Sequence, residues 1–465
     1  MKIISTLYNF MWGDLVSIPL PGGSLLGLSL LVLILVPVGI YFTIRTRFVL
    51  LRKFPHMIQI ASEKRNGTQE NSISGLQALI VSTATRVGMG NLVGVVAAIS
   101  AGGAGAVFWM WVLALLGSST AFAEATLAQT YKQKDPLYGG YRGGPAYYIH
   151  YYMTHRKGCK NPGKRYSIIA VLFAISGLIC WCGISQVISN SVTSSMKNAF
   201  HIPPLYTSIA LVAIAAVIVL RKNATVKVLD VIVPVMAGGY LLITIFIIIK
   251  NAGAFPGVFE RIFLEAFGIR QVAAGGFGAV LMNGVKRGLF SNEAGSGSAP
   301  CAAAAADVSH PAKAGLLQAF GVFIDTIVIC SCSAMIMLLV PEENLKGLVG
   351  MDLLQTAMEY HLGKFGVVFI ALTLLLFSFS TFIGVLFYAR SNVAYLFGDN
   401  WISQTFYKIF ALLMLFIGGL ATYTFVWDLG DVGIGLMTIF NMMALLPLSG
   451  KVVEAMNDYE KKYGN

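Results

Sequence analysis

The sequence predicts an all-α polytopic membrane protein with about eleven transmembrane helices, arranged as one extra helix followed by a 5+5 inverted repeat. Three observations support this fold class. The 465 residues have a mean hydropathy of +0.73, with 56% apolar and only 12% charged residues. That charged share is about half of the usual share in a soluble domain. The apolar runs are also long and continuous, whereas a transmembrane barrel shows alternating segments of about ten residues.

Apolar runs long enough to cross a bilayer recur along the whole chain. The predicted spans lie near residues 24–44, 73–100, 105–131, 167–190, 203–221, 228–250, 270–290, 313–340, 365–390, 401–420 and 431–450. The resulting organisation is an N-terminal interfacial segment at 1–23, an extra first span at 24–44, repeats at 73–250 and 270–450, and a cytoplasmic tail at 451–465. The alanine-rich stretch 292–308 is predicted to form a separate short helix with Glu293 in its N-terminal cap.

Basic residues concentrate in every second loop, and this pattern predicts the orientation. The formal net charge is +12, and Lys and Arg cluster in the loops after the first, third and fifth spans. Because cytoplasmic loops carry the excess of Lys and Arg, we expect the N-terminus outside and the C-terminus inside a cell inner membrane. The positive charge is therefore a topology signal and does not indicate nucleic-acid binding. The lipid bilayer is the expected surrounding, and no obligatory protein partner is evident.

Two predicted spans contain glycine-rich interruptions, at residues 85–91 and 273–279. They open the two repeats, and paired interrupted helices indicate the binding site of an inverted-repeat carrier. An unwound turn frees N–H and C=O groups that must line a cavity or hold a ligand. Such groups suit a zwitterion and a cation together. The alternative is that the glycines only permit close helix packing, since Gly90 and Gly94, and likewise Gly284 and Gly288, fit a G-x-x-x-G spacing.

Several charged residues fall within or near the predicted spans, where charge is costly and usually functional. Arg86 either braces the first interruption or contacts substrate. Glu124 and Asp325 serve either a structural ion pair or hydrogen-bond network, or the binding of a coupling ion or proton. Lys286 and Arg287 are predicted to be interfacial, near the cytoplasmic end of their span.

Enzyme and channel functions find little support in the sequence. It contains no H-E-x-x-H, G-x-S-x-G or Walker sequence. We therefore do not expect an enzyme. A channel is expected to show a repeated selectivity filter or symmetric subunits, and neither is visible.

Six sequence blocks give the chain a family resemblance. They are RVGMGN at 86–91, GAVFWMW at 105–111, FAEATLAQ at 122–129, YRGGPAYY at 141–148, RGLFSNEAGSGSAP at 287–300 and GVFIDT at 321–326. With these blocks the chain resembles the alanine/glycine:cation symporter family, which has the LeuT-like fold, over roughly residues 20–450. The resemblance implies secondary active transport of alanine, glycine or a similar amino acid, driven by Na⁺ or sometimes H⁺.

The resemblance also implies positions for substrate and cation. Substrate would contact the backbone at Gly88, Met89 and Gly90, the Asn91 side chain, and Phe277 and Gly278 from the seventh span. The cation would bind carbonyls of Ala84 and Val87 and hydroxyls of Ser380 and Thr381. The alternative for the two hydroxyls is a bond to a carbonyl of their own helix. No resident cofactor is expected, because Na⁺ is the coupling ion.

Three positions depart from the family pattern near the expected pocket. Met89 stands where Thr is usual, Ile188 where Gln is common, and Val385 where Trp is usual. Gln186 and Asn190 lie on one helical face and could together partly substitute for the altered polar positions; alternatively, both amides only pack helices. The departures allow a neutral amino acid other than alanine or glycine.

Overall fold

The computed structural model describes residues 2–19, 25–63, 73–155, 166–220, 225–269 and 276–464; for residues 25–26, 84–87 and 225–233 it describes the backbone only. The predicted interruption at 273–279 therefore lies partly outside the described residues.

Helices account for most of the described chain. The N-terminal part contains α1 (Lys2–Trp12), β1 (Asp14–Pro19), β2 (Leu25–Ser29), α2 (Leu30–Arg45), α3 (Val49–Arg52) and α4 (Phe54–Ser62). The next part contains α5 (Gly75–Thr85), the π-helix π1 (Arg86–Gly94), α6 (Val95–Gly102), α7 (Gly105–Thr130), β3 (Gln133–Lys134), β4 (Tyr141–Arg142), α8 (Pro145–His155), α9 (Ile168–Phe200), α10 (Pro204–Val219), α11 (Thr225–Lys250) and α12 (Phe255–Ala266).

The C-terminal part begins after the undescribed residues 270–275. It contains α13 (Phe277–Asn292), α14 (Pro300–Ala305), α15 (Pro311–Val322), the π-helix π2 (Phe323–Cys330), α16 (Ser331–Leu338), α17 (Glu342–Leu345), α18 (Gly350–Leu362), α19 (Lys364–Phe397), α20 (Trp401–Leu420), α21 (Tyr423–Leu445) and α22 (Ser449–Tyr463). The strands form two small antiparallel hairpins, β1 with β2 and β3 with β4.

Local sequence explains where several helices start. Pro204, Pro300 and Pro311 stand at the first helical position of α10, α14 and α15, where a missing N–H costs nothing and the ring pre-sets φ. Asn400 caps α20 because its Oδ1 accepts a hydrogen bond from the Ser403 amide at 2.9 Å.

Length and hydropathy identify the membrane-crossing helices. Within the described residues, seven helical rods are long and apolar enough to cross a bilayer, and α11 with α12, bent by 102°, contributes an eighth. The other predicted spans correspond to α2 and α10, which are shorter, and to the interrupted pair α13–α14. The chain is thus a multi-pass helical membrane protein, while the count of eleven stays a prediction.

Two of the membrane-crossing rods change helix type near their middle. The rod α5–π1–α6 contains nine π-helical residues, and α15–π2–α16 contains eight. π-Helices are rare and frequently mark functional sites. The interruption predicted at 85–91 is therefore a π-helical segment rather than an open loop, and residues 88–94 within it are buried.

Two groups of helices define the interior. In one group α7 packs against α13, α14 and α15, and in the other α9 packs against α19, α20 and α21. The π1 segment contacts both α13 and α19, so it lies between the two groups. The N-terminal helix α1 also packs against α21, where Trp12 Nε1 donates to the carbonyl of Asp431 at 3.1 Å.

Candidate functional site

The backbone of π1 presses directly against a hydroxyl of α19. A Cβ added to Gly88 would lie 2.1 Å from Thr381 Oγ1 and 3.0 Å from the Phe377 carbonyl oxygen. The neighbouring amide of Met89 lies 3.4 Å from the same Thr381 Oγ1. Only glycine fits such a close approach. The structure thus brings together three residues that the sequence placed in adjacent substrate and cation sites.

The remaining predicted cation ligands lie on α19 and around the junction of α5 and π1. Ser380 Oγ donates to the Phe377 carbonyl of its own helix at 2.8 Å, which is the alternative anticipated for a hydroxyl in a helix. Ala84 lies in the last turn of α5 and Val87 in the first turn of π1, and their side chains are not described. The cation assignment itself stays a prediction.

Asn91 joins the two π-helices. Its Nδ2 donates to the Asp325 carbonyl in π2 at 3.0 Å, and its Oδ1 accepts from Ser291 Oγ at 3.1 Å. Its own carbonyl accepts from Ser333 Oγ at 2.6 Å. Both ends of the amide therefore bind neighbouring helices, and the predicted contact between this side chain and substrate stays a prediction.

A full interruption of the helix follows α13. Helix α13 ends at Asn292, and Glu293 adopts the left-handed conformation with φ 58°. Gly295 and Gly297 have φ values of 94° and 84°, and helix resumes only at Pro300. We call residues 293–299 the second break. Glu293 therefore ends α13 instead of capping a helix at 292–308, because a left-handed residue terminates the helix before it.

The C-terminal end of α13, just before the second break, lies beside π1, and the start of α13 does not. A Cβ on Gly90 would lie 3.0 Å from Ser291 Cα. Phe277 and Gly278 stand at the other end of the continuous helix α13, about 21 Å along the axis from Ser291. There the Phe277 ring packs edge-on against Trp109 at 6.1 Å. The structure therefore does not bring Phe277 and Gly278 to π1.

Gln186 faces α20 and not π1. Its Nε2 lies 3.3 Å from Met414 Sδ, and a Cβ added to Gly418 would lie 2.2 Å from its Cα. Asn190, on the same face of α9, donates to the carbonyls of Gly418 and Ala421 at 3.3 and 2.8 Å. These contacts match the alternative in which both amides pack helices.

Glu124 of α7 binds the backbone of the second break. Its Oε2 accepts from the Gly295 amide at 3.0 Å, and its Oε1 accepts from Asn441 Nδ2 at 2.5 Å. Asn441 Nδ2 also donates to the Gly295 carbonyl at 3.0 Å, and its Oδ1 accepts from Tyr148 OH. The amide and the carbonyl of Gly295 thereby both have hydrogen-bond partners, as backbone groups within a membrane-spanning protein require. This is the hydrogen-bond network that was one alternative for Glu124.

Lys286 and Arg287 are buried within the protein and share one carboxylate, while their position at the membrane interface stays a prediction. Arg287 makes a bidentate pair with Asp431 at 3.1 and 2.8 Å, and the Lys286 Nζ lies 3.4 Å from the same carboxylate. The Arg287 guanidinium also stacks over Trp427 at 4.1 Å, and Lys286 donates to Tyr8 OH at 2.6 Å. Asp431 was missed because the predicted last span began at that residue.

Comparison with known proteins finds relatives along almost the whole chain. The chain is 41% identical over 437 residues to "Amino-acid carrier protein AlsT" of Bacillus subtilis, covering 92% of this chain and 89% of the relative. It is 41% identical over 447 residues to "Probable sodium/glutamine symporter GlnT" of the same organism, covering 95% and 90%. Such relatives are named as carriers and symporters, not as enzymes.

Solved structures show the same fold. The structure of MhsT in complex with L-phenylalanine matches 84% of this chain and 93% of its own, with a TM-score of 0.59 and 14% identity. At that identity the match speaks for the fold alone, and it confirms the predicted LeuT-like fold. The model of the sodium:alanine symporter family matches residues 21–465, and the chain therefore belongs to that family.

Proposed function

We propose that this protein is a secondary active symporter that imports a small neutral amino acid, such as alanine or glycine, together with Na⁺ by alternating access. The observation that carries the proposal is the contact between the Thr381 hydroxyl and the π1 backbone at Gly88 and Met89. It places the Thr381 hydroxyl oxygen against the π-helical segment π1, near the middle of the membrane-crossing rod α5–π1–α6. In carriers of inverted-repeat design, such segments supply backbone groups for substrate and coupling ion.

The transport cycle follows from the position of π1. Na⁺ bound between π1 and α19 would tie π1 to the α19 group, because its ligands come from both of these segments. The amino acid would then complete the site with its carboxylate at backbone N–H groups of π1. Relative movement of the two groups would expose the site to the cytoplasm. In this proposal the N-terminus lies outside the cell membrane and the C-terminus inside.

A second candidate is a carrier for another neutral amino acid, coupled to Na⁺ or H⁺. Met89 and Val385 depart from the family pattern, and both are buried. The relative GlnT is named as a sodium/glutamine symporter, so glutamine belongs among the compounds tested. A channel is the weaker alternative, and accumulation of substrate against its gradient separates the two, because a channel cannot concentrate its cargo.

The test is uptake by purified protein in proteoliposomes. Labelled alanine, glycine, glutamine and other neutral amino acids are supplied with a Na⁺ gradient, with a proton gradient, or with neither. We expect accumulation of one of these amino acids that requires the Na⁺ gradient. Accumulation under a proton gradient alone would favour the second candidate, and equilibration without accumulation would contradict symport altogether.

The cation site has its own test in Thr381→Ala. We expect the Na⁺ concentration for half-maximal uptake to rise by about tenfold, because one ligand oxygen is lost at a cost of about 1.4 kcal/mol. The matched control is Thr373→Ala, a buried threonine on the same helix that lies about 12 Å away along the axis. Unchanged Na⁺ activation in Thr381→Ala would remove Thr381 from the cation site.

A further inference from the structure

The β3–β4 hairpin, which follows α7, carries two ion pairs to the far end of α19. Asp135 lies between its strands and pairs with Arg390 at 2.6 Å, and Arg142 in β4 pairs with Asp399 at 2.5 Å. The Asp135 side chain is 1% exposed and the Arg390 side chain 17%. The hairpin supplies the acidic residue of the first pair, Asp135, and the basic residue of the second, Arg142. Two such pairs, largely removed from water, fix the hairpin in one register.

Aromatic rings complete the contact at the tip of the hairpin. The Arg390 guanidinium lies 4.2 Å from the ring centre of Tyr138, and that ring packs edge-on against Trp401 at 5.0 Å. Tyr138 is thus held between the end of α19 and the start of α20. Cation–π stacking adds to the ion pair at this position.

The residues after β4 pack against the helix that follows the second break. A Cβ on Gly143 would lie 2.9 Å from Ala304 Cβ, and one on Gly144 would lie 2.8 Å from Cys301 Sγ. Gly144 also has a φ of 118°, which disfavours any side chain there. Cys301 itself is buried. The hairpin therefore fills the space between α14 and the α19–α20 corner.

We propose that the hairpin 133–142 is an inner gate, locked by the Asp135–Arg390 and Arg142–Asp399 pairs. The inference rests on the proposed alternating access, in which the α7 group and the α19 group separate at their cytoplasmic ends. The hairpin continues α7, whereas Arg390 lies near the end of α19 and Asp399 lies just after it. Separation of the two groups therefore breaks both pairs. Arg390 lies about 14 Å beyond Thr381 on the same helix. Movement of α19 at the cation site is thereby transmitted to the gate.

Cys301 provides a built-in reporter for the gate. In a variant that keeps only Cys301, with the other five cysteines replaced by alanine, the rate of alkylation by a membrane-permeant maleimide reports how often the hairpin opens. Asp135→Asn and Arg390→Gln should each raise that rate by about tenfold or more. If the two side chains act as one lock, the double variant should label no faster than the faster single variant.

Two controls separate gate opening from other effects. A variant that keeps only Cys330, which lies beside Ser291, should label at the same slow rate with and without Asp135→Asn. Faster labelling there would mean general loosening and would overturn the gate. Unchanged Cys301 labelling in both single variants, or effects that multiply in the double variant, would overturn it too. Labelling is measured without amino acid or Na⁺, so a failure of the transport proposal leaves this readout intact.

Discussion

Asp431 is the sole carboxylate found within 4 Å of either Lys286 or Arg287 among the described residues. Replacing it with asparagine keeps the shape of the side chain but removes the charge. Two buried cations would then remain without their counter-ion. The side chains of Arg287 and Lys286 are 7% and 8% exposed, so water cannot take over the role of the carboxylate.

The expected cost follows from the burial of the pair. Removing one partner of a buried ion pair costs about 3–5 kcal/mol, because the remaining charge stays desolvated. Stacking of Arg287 on Trp427 persists in the variant, so it does not change this difference. We therefore expect Asp431→Asn to destabilise the protein by about 3–5 kcal/mol. The triple variant Lys286→Met, Arg287→Met and Asp431→Leu should recover most of that loss, since replacing all members of a buried ion cluster with apolar groups is often neutral.

The assay is thermal unfolding of purified protein in detergent, compared at one pH and salt concentration. We expect the Tm of Asp431→Asn to fall by several degrees, and the Tm of the triple variant to lie closer to that of the wild type. The matched control is Glu454→Gln, which breaks an exposed ion pair with Lys451. The Lys451 side chain is 56% exposed and the Glu454 side chain 69%, so this change should leave Tm unchanged. A Tm for Asp431→Asn equal to that of the control would refute the reasoning.

Two further predictions concern π1 and the end of α7. Gly88→Ala places a methyl 2.1 Å from Thr381 Oγ1, so it should abolish Na⁺-dependent uptake and cost about 1–3 kcal/mol of stability. The control Gly94→Ala should retain uptake, because its methyl would meet only a Phe290 ring carbon at 3.7 Å. Equal behaviour of the two variants would contradict the close approach at π1. Burial lowers the pKa of Lys132 to about 8, against an opposing effect of Asp307. Between about pH 8 and 10.5 the unfolded chain therefore binds more protons than the folded protein, and the folded state gains stability as pH rises. The Tm of the wild type relative to that of Lys132→Met should rise over this window, and a constant difference would count against the lowered pKa.

The fold class was predictable because a bilayer imposes strong constraints on composition. A run of about twenty consecutive apolar residues is typical of a transmembrane helix. The six family blocks then indicated how the helices are arranged. The position of π1 was predictable for a similar reason, since polar residues and glycines cluster inside an otherwise apolar run. Its π-helical form was not, because that form depends on contacts with Thr381 and Ser333, which are distant in sequence.

The second break was not predicted, because glycine density was taken as the signal. The predicted interruption at 273–279 contains three glycines and lies partly outside the described residues, whereas 293–299 contain two separated glycines among small residues. What opens the helix at Gly295 is not local glycine content alone. Glu124 and Asn441 bind its amide and carbonyl from two other helices, and a single sequence does not reveal that these residues meet.

The same contacts limit which groups can hold cargo. Backbone groups freed by a break must be satisfied within the membrane, and those of Gly295 are already bound by Glu124 and Asn441. The Asn91 amide is likewise engaged with π2 and α13. A ligand between the two helix groups would have to displace these bonds at a cost of about 1–3 kcal/mol for each group left unpaired. The π1 backbone at Gly88 and Met89, which faces α19 across a single hydroxyl, requires the least rearrangement. The amino acid and its cation should therefore bind on the α19 side of π1, with the polar groups around Asn91 and Gly295 holding the interrupted helices in shape behind them.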